Sequence, residues 1–277
     1  MQADMTAHIS PSTYTSERVD MDHYRADPGL YMIYLRHFVA YEWFCAEAAG
    51  KDVLDFGAGT GHGSAQLAGV ARSVTGVDVS DEAVAASRRA FQHNNLSFET
   101  IKPVEEEPLR FADGSFDVVV SNQVIEHVPD ARGYLAECHR VLRPGGVVFV
   151  VTPDRTIRLY GWQKPWNRHH LHEFSPGELG TLVGEKFAEV SLHGTTARAD
   201  VLAREDARTL MLRRATLPFT LPGLPEAWRQ GGLGLLQRLN ARRAGTPSAI
   251  DFGPEDVWIT PDAKAGMDVC VRAVRRG

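Results

Sequence analysis

The stretch Val53-Leu-Asp-Phe-Gly-Ala-Gly-Thr-Gly61 decides the fold. A short apolar run, Val53–Phe56, gives way at once to three glycines at alternate positions, Gly57, Gly59 and Gly61. Glycines so placed let a chain turn sharply out of a strand and bring its backbone close to a ligand with no Cβ in between. The helix that they open offers free N–H groups in its first turn. A dinucleotide fingerprint starting at Gly57 needs glycine at 62, where His62 stands, and this disfavours a nicotinamide dehydrogenase. A second apolar run, Ser73–Val79, carries Asp78 near its end, where a carboxylate can accept both hydroxyls of a ribose.

Working outward, the hydrophobic period switches repeatedly between strand and helix. Strands are expected at 53–56, 73–79, 96–101, 116–121 and 147–152, and helices from the glycine loop to about Val70, over 81–94 and over 131–142. Ser80 is the expected N-cap of the second of these helices. Phe116–Ser121 (FDVVVS) is apolar throughout, as in a strand buried on both faces. Upstream, 29–49 has the three- and four-residue spacing of a helix, and residues 1–28 are polar and irregular. Downstream, Ser175-Pro-Gly-Glu178 is a capping box, followed by a helix, a strand at 187–193 and a last strand at 268–274. Residues 197–250 are helical in pattern but broken by Pro218, Pro222 and Pro225. Strands alternating with helices imply a parallel α/β sheet.

Composition narrows the class. The 277 residues are 43% hydrophobic with net charge −5, an ordinary globular balance. No apolar run approaches the roughly 20 residues of a membrane helix. The N-terminus has no secretory pattern, and Cys45, Cys138 and Cys270 lie far apart, so a reduced, cytoplasmic protein that does not engage a membrane is expected. Residues 197–250 hold nine arginines against four acids, +5, which leaves −10 on the rest. That charge either draws an anionic acceptor, phosphate-bearing or carrier-linked, or pairs with the acidic body as part of a lid. Nucleic acid is disfavoured by the acidic total and the lack of an aromatic-interleaved basic groove.

VLDFGAGTG, VTGVDVS, FADGSFDVVVSNQVIEHV and ECHRVLRPGGVVFVVTP, in this order and spacing, resemble the class I S-adenosylmethionine-dependent methyltransferases, in particular the type 11, UbiG-like small-molecule enzymes. The resemblance spans roughly residues 30–195. It implies a Rossmann-like seven-stranded sheet in order 3-2-1-4-5-7-6 with strand 7 antiparallel, an N-terminal helix, and a helical insertion between strands 6 and 7. On that reading 29–277 is a single domain, and 197–257 is a substrate-side lid. The cofactor is S-adenosyl-L-methionine and the product S-adenosyl-L-homocysteine. By position, Gly57, Gly59 and Gly61 cradle its methionine part and Asp55 orients its ammonium, directly or through water. Asp78 holds the ribose, Val79 lines the adenine, and Val104 and Glu105 flank it. Asn122 and Gln123 face the cofactor and the reacting centre. Relatives often carry Arg where this chain has Ala40; the carboxylate grip is then vacant, or falls to Arg36 or an N-terminal residue.

Methyl transfer to a hydroxyl needs alignment, exclusion of water and a place for the proton. His127, in Ile-Glu-His-Val, is one candidate base; a plain loop or cap position is the other reading. The segment 161–174, GWQKPWNRHHLHEF, resembles the N-P-x-H-x-x-E-F pattern of a subgroup linked to glycan and natural-product biosynthesis. His170 is the expected base or orienting group; alternatively it pins the loop. Trp162, Trp166, Asn167 and His169 are expected to meet the acceptor. No metal is expected from His169, His170 and His172, because no clustered Cys or acid completes a site. The implied activity is methyl transfer to a small molecule, on oxygen of a sugar, glycoconjugate or natural product; nitrogen or carbon transfer, and cofactor binding without turnover, are the alternatives.

Overall fold

The computed structural model describes residues 27–243 and 250–277, so all but the last two residues of the expected irregular segment 1–28 lie outside the described residues. Asp27 caps the first helix, α1 (Pro28–Ala48): its Oδ1 accepts from the N–H groups of Gly29 (2.8 Å) and Leu30 (3.0 Å). There follow β1 (Asp52–Phe56), α2 (His62–Ala68), β2 (Ser73–Asp78), α3 (Asp81–Ala90), β3 (Leu96–Thr100) and β4 (Phe116–Asn122). Next come α4 (Ala131–Val141), β5 (Leu142–Pro153), the short α5 (Arg155–Arg158), α6 (Pro176–Gly184) and β6 (Phe187–Ala197). The insertion holds α7 (Ala199–Ala215), α8 (Glu226–Arg243) and β7 (Val257–Thr260), and β8 (Asp268–Arg275) completes the sheet.

The sheet has eight strands, in order β3-β2-β1-β4-β5-β8-β6-β7. The five strands from β3 to β5 are parallel, and β8 runs antiparallel to both β5 and β6. This corrects the expected count of seven. The additional strand is β7, a four-residue piece (VWIT) that pairs antiparallel with Gly194–Ala197. Its physical reason lies in β6, which runs for eleven residues rather than stopping near His193. The longer β6 presents backbone N–H and C=O groups beyond β8, and the β-branched segment covers them.

Alternate residues of the central strands feed two cores. Leu54, Phe56, Val77 and Val119 pack with Tyr134, Leu135 and Leu179 on one face. Val53, Val74, Val118 and Val120 pack with Tyr41, Phe44, Leu67 and Phe149 on the other. Both faces of β4 are therefore covered, which is why its sequence is apolar without alternation. The N-terminal half of α1 (Tyr31, Met32, Leu35, Val39) forms a third cluster with Ala197, Val201, Val257 and Met267. The Ser175–Glu178 capping box starts α6 as read. No helix among the described residues is long and apolar enough to cross a membrane. Strand order reverses between β1 and β4, and the crevice at their carboxyl ends is where ligands bind in such sheets.

Candidate functional site

The loop after β1 turns on three glycines of positive φ, Gly57 (92°), Gly59 (53°) and Gly61 (82°). Their surroundings separate their jobs. A Cβ on Gly57 would meet Val124 Cγ2 at 2.4 Å, and one on Gly61 would meet Ser87 and Phe98 at 2.8 Å. Gly59 alone of the three faces open space, with nothing within 4 Å. Gly57 and Gly61 thus let the loop pack, and Gly59 presents bare backbone to the cavity.

Two carboxylates hold this loop. Asp78 Oδ2 accepts from the Gly59 N–H and Oδ1 from the Ser80 N–H, each at 2.9 Å. Asp55 is fully buried beneath the loop, where Oδ2 accepts from the Ser64 hydroxyl (2.6 Å) and Oδ1 from the Tyr41 hydroxyl (3.0 Å). It is not part of the cavity wall, so of the two routes expected for Asp55 the direct contact does not fit. Burial pushes its carboxyl up to about 6, against 3.8 ordinarily. The folded chain then keeps a proton that the unfolded chain has released, so stability falls as pH rises from about 4 to 6. The Asp55→Asn variant is expected to be more stable than the parent at pH 8 by roughly 3 kcal/mol, with the difference vanishing near pH 4. Urea unfolding at both pH values checks this; a difference of the same size at both would refute the linkage.

A cavity of about 660 Å³ opens above the loop, within the range of cofactor sites. Gly57, Gly59, Asp78, Val79, Val104, Glu105, Asn122, Gln123 and His127 all line it, whereas Gly61 does not. Asn122 is buried, and its Oδ1 is an acceptor without a partner. The α1 helix supplies a wall whose residues the sequence marks as a helical repeat and not as part of the site: Tyr34, His37, Phe38 and Tyr41. Their helical spacing was the available signal. Burial and the neighbouring Arg36 push His37 down to about 4, so it is neutral at neutral pH. Arg36 itself is buried against Asp268, Nε donating to Oδ2 at 2.7 Å, and Gln123 Nε2 donates to the same carboxylate at 2.9 Å. Arg36 is therefore committed to Asp268 and does not replace the arginine missing at Ala40.

The loop 161–174 lies against the short 3-10 turn Ile125–His127: the N–H groups of Leu171 and His172 both donate to the Glu126 carbonyl (2.8 and 3.3 Å). The polar positions of the resemblance, Asn167, His170 and Glu173, form one chain. Asn167 Nδ2 donates to His170 Nε2 (2.8 Å), and His170 Nδ1 donates to Glu173 Oε1 (2.7 Å). Arg158 grips Glu173 at 3.0 and 3.1 Å and stacks 4.1 Å over Trp166. Burial opposes the charge on Glu173, yet Arg158 and His170 outweigh it and hold the carboxyl down at about 2. His170 is 5% exposed, both its ring nitrogens are engaged, and it is off the cavity wall. That corrects the expectation of a base there and fits the loop-pinning alternative. Trp162, Trp166, Asn167 and His169 are likewise off the wall, Trp162 being exposed and stacked on Tyr160. His127 does reach the cavity. Its Nδ1 lies 3.1 Å from the His169 carbonyl, which only accepts, so Nδ1 carries the proton and the neutral ring keeps its lone pair at Nε2.

Glu126, beside it in sequence, is off the cavity wall, yet one of its carboxylate oxygens comes within 4.8 Å of a ring nitrogen of both His127 and His170. It is fully buried, accepts from the Thr152 hydroxyl through Oε2 (2.8 Å), and burial pushes it up to about 7. In the insertion, Arg198 pairs with Asp200 and Asp256, Arg204 with Asp200 and Asp251, Arg208 with Glu205, and Arg229 with Glu226. These arginines meet acids of their own region rather than the acidic body.

Comparison with known proteins agrees with the geometry. A family described as methyltransferase domain matches residues 54–150. A probable S-adenosylmethionine-dependent methyltransferase of Mycolicibacterium smegmatis is 40% identical over 179 residues, 62% of this chain and 65% of the relative. One of Mycobacterium tuberculosis is 34% identical over 194 residues, 68% and 66%. The chain thus spans just under two thirds of the length of these mycobacterial relatives. A ubiquinone biosynthesis O-methyltransferase of Pseudomonas aeruginosa is 33% identical over 156 residues, 52% of this chain and 67% of the relative. Among solved structures, a possible histamine N-methyltransferase of Thermotoga maritima superposes with a TM-score of 0.56 at 16% identity, covering 87% of this chain and 89% of that one. The [4+2]-cyclase SpnF superposes at 0.53 with 18% identity, covering 84% and 79%. At these identities the structures speak for the fold alone, and that fold hosts more than one chemistry.

Proposed function

Because the chain belongs to the class I S-adenosylmethionine-dependent methyltransferases, with S-adenosylmethionine as its cofactor, we propose that it transfers the cofactor's methyl group to a hydroxyl oxygen of a small-molecule acceptor, releasing S-adenosylhomocysteine. The residues present fit that cofactor. Asp78 would hold the ribose with the lone pairs left over from Gly59 and Ser80, and the bare backbone at Gly59 would flank the methionine part. Val79, Val104 and Glu105 would border the adenine, and the unpartnered Asn122 Oδ1 would accept from the ammonium. Bound there, the cofactor supplies a methyl carbon on a sulfonium sulfur.

The observation that carries the oxygen reading is His127 Nε2, a lone pair on the cavity wall with its ring fixed by the His169 carbonyl. A hydroxyl gains nucleophilicity only as its proton leaves, and a fixed imidazole acceptor meets that need. The cavity wall from α1 is largely aromatic, which limits the polar groups that could hold water beside the displacement. A sugar, glycoconjugate or natural-product hydroxyl is the acceptor class favoured by the Asn167–His170–Glu173 pattern. Four of the insertion's arginines, Arg198, Arg204, Arg208 and Arg229, are already paired with acids of their own region, which weakens the case for a phosphate-bearing acceptor.

Incubation of the enzyme with isotopically labelled S-adenosylmethionine and fractionated extracts or hydroxyl-bearing acceptors tests this. The expected result is S-adenosylhomocysteine together with a labelled O-methyl ether. A label found on nitrogen or carbon would replace the oxygen reading. Cofactor binding with no acceptor-dependent S-adenosylhomocysteine would leave a binding protein.

A further inference from the structure

We propose that Glu126, His127 and His170 hold one divalent cation of the zinc, cobalt or manganese class just behind the cavity wall at His127. One ligand atom from each residue lies within 4.8 Å of those of the other two. Glu126 contributes Oε1, buried and without a hydrogen-bond partner, while its Oε2 is fixed by the Thr152 hydroxyl. A carboxylate oxygen left dry and unpaired is costly unless a positive or donating group meets it. Both imidazoles arrive with the tautomer a ligand requires. His127 donates from Nδ1 to the His169 carbonyl, and His170 donates from Nδ1 to Glu173, itself held by Arg158. Holding Nδ1–H against an acceptor aims Nε2 as a lone pair, the outer-shell arrangement of metal-ligating histidines. Two imidazoles and one carboxylate suit zinc and its neighbours and leave a further coordination position.

Two local adjustments complete the site. Ligands of a tetrahedral centre with bonds of about 2.1 Å stand roughly 3.4 Å apart, so atoms now within 4.8 Å of one another close in by up to about 1.4 Å. Asn167 Nδ2, which donates to His170 Nε2, swings aside. The remaining position opens on the cavity, because His127 is part of its wall. His169 and His172 are exposed and outside the cluster. The expectation of no metal weighed the loop histidines without an acid; the acid comes from the turn after β4.

The presence of the site is read from geometry alone, whereas its use rests on the methyl-transfer reading. In that use the ion would hold the acceptor hydroxyl on the open position and lower its pKa, and the proton would pass to water. The C–S bond breaks as the C–O bond forms, and the electron pair returns to sulfur as a neutral thioether. His127 then serves as ligand rather than base, since one lone pair does not hold both a cation and a proton.

The test titrates the chelator-treated, full-length chain with Zn²⁺ and Co²⁺, measuring retained metal by mass spectrometry and the visible spectrum of the Co²⁺ form. One ion per chain is expected, with binding weakened about 100-fold or more in Glu126→Gln and in His127→Ala, and about tenfold in Glu173→Gln. His172→Ala should bind as the parent does. Half-buried His127 makes a variant that keeps the fold even if Glu126→Gln does not. No retained ion in the parent, or equal retention by His127→Ala, overturns the site. If binding is as stated but the chelated enzyme forms S-adenosylhomocysteine as fast as the loaded one, the catalytic use is overturned. Failure of the methyl-transfer reading looks different: no product at any metal loading.

Discussion

His127→Ala is expected to slow S-adenosylhomocysteine formation by about two to four orders of magnitude, the range for losing a positioned proton acceptor or ligand. Cofactor affinity should stay within about twofold in the same variant, because the loss falls on the transition state and not on ground-state binding. The structure makes this a clean experiment. His127 is half-buried, its Nδ1 bonds the His169 carbonyl, its ring meets His170 edge-on at 4.8 Å, and it stands outside the hydrophobic clusters. Truncating His170 is a different operation. It would leave the Arg158–Glu173 pair in place but remove the imidazole hydrogen bond to Glu173 and open a void in a buried site, destabilising the loop by about 1–3 kcal/mol, so a rate loss there comes with a lower melting temperature. Steady-state rates at saturating acceptor, beside calorimetry for the cofactor and thermal unfolding, separate the two. An unchanged rate in His127→Ala, with His170→Ala slow yet fully stable, would return the role to His170.

Asp78→Ala should weaken S-adenosylmethionine binding by about 30-fold to 150-fold, corresponding to roughly 2–3 kcal/mol for a lost charged acceptor. The effect has two sources. The ribose loses its carboxylate, and the Gly59 and Ser80 N–H groups lose the acceptor that holds the loop in its cradle shape. Asp78→Asn keeps one acceptor oxygen and is expected to fall between variant and parent. Titration calorimetry reads all three, and an Asp78→Ala affinity equal to the parent's would remove Asp78 from the cofactor site.

Much of this molecule is legible in its sequence, and the limits have physical causes. The parallel strands read well because burial on both faces leaves an unbroken apolar signature, as in FDVVVS. The glycine loop read correctly as a turn, but spacing alone did not tell which glycine faces a ligand. That depends on Val124, Ser87 and Phe98, which approach Gly57 and Gly61 from other elements. Strand β7 escaped because four residues at a sheet edge carry too little pattern to stand out from a loop. His127 and Glu126 are adjacent, and no periodicity predicts that a 3-10 turn sends one to the cavity and the other to Thr152. Asn167, His170 and Glu173 read correctly as a polar set, but their direction, inward to Arg158 rather than outward to an acceptor, is a tertiary fact. The insertion's +5 was countable in advance; its pairing with Asp251 and Asp256, dozens of residues away, was not.

The Asp268 clasp has a consequence for synthesis. This one carboxylate, the first residue of β8, takes Arg36 from the first helix and Gln123 from the exit of β4, and Gln123 lines the cavity. A chain made from its N-terminus on the ribosome has every glycine and carboxylate of the cofactor cradle long before it has Asp268. Until β8 emerges, the Arg36 guanidinium lacks its hydrogen-bonded carboxylate, and the sheet lacks the strand that joins β5 to β6. Nascent chains stalled before residue 268 should therefore retain no cofactor, and release of the final segment should switch retention on in a single step.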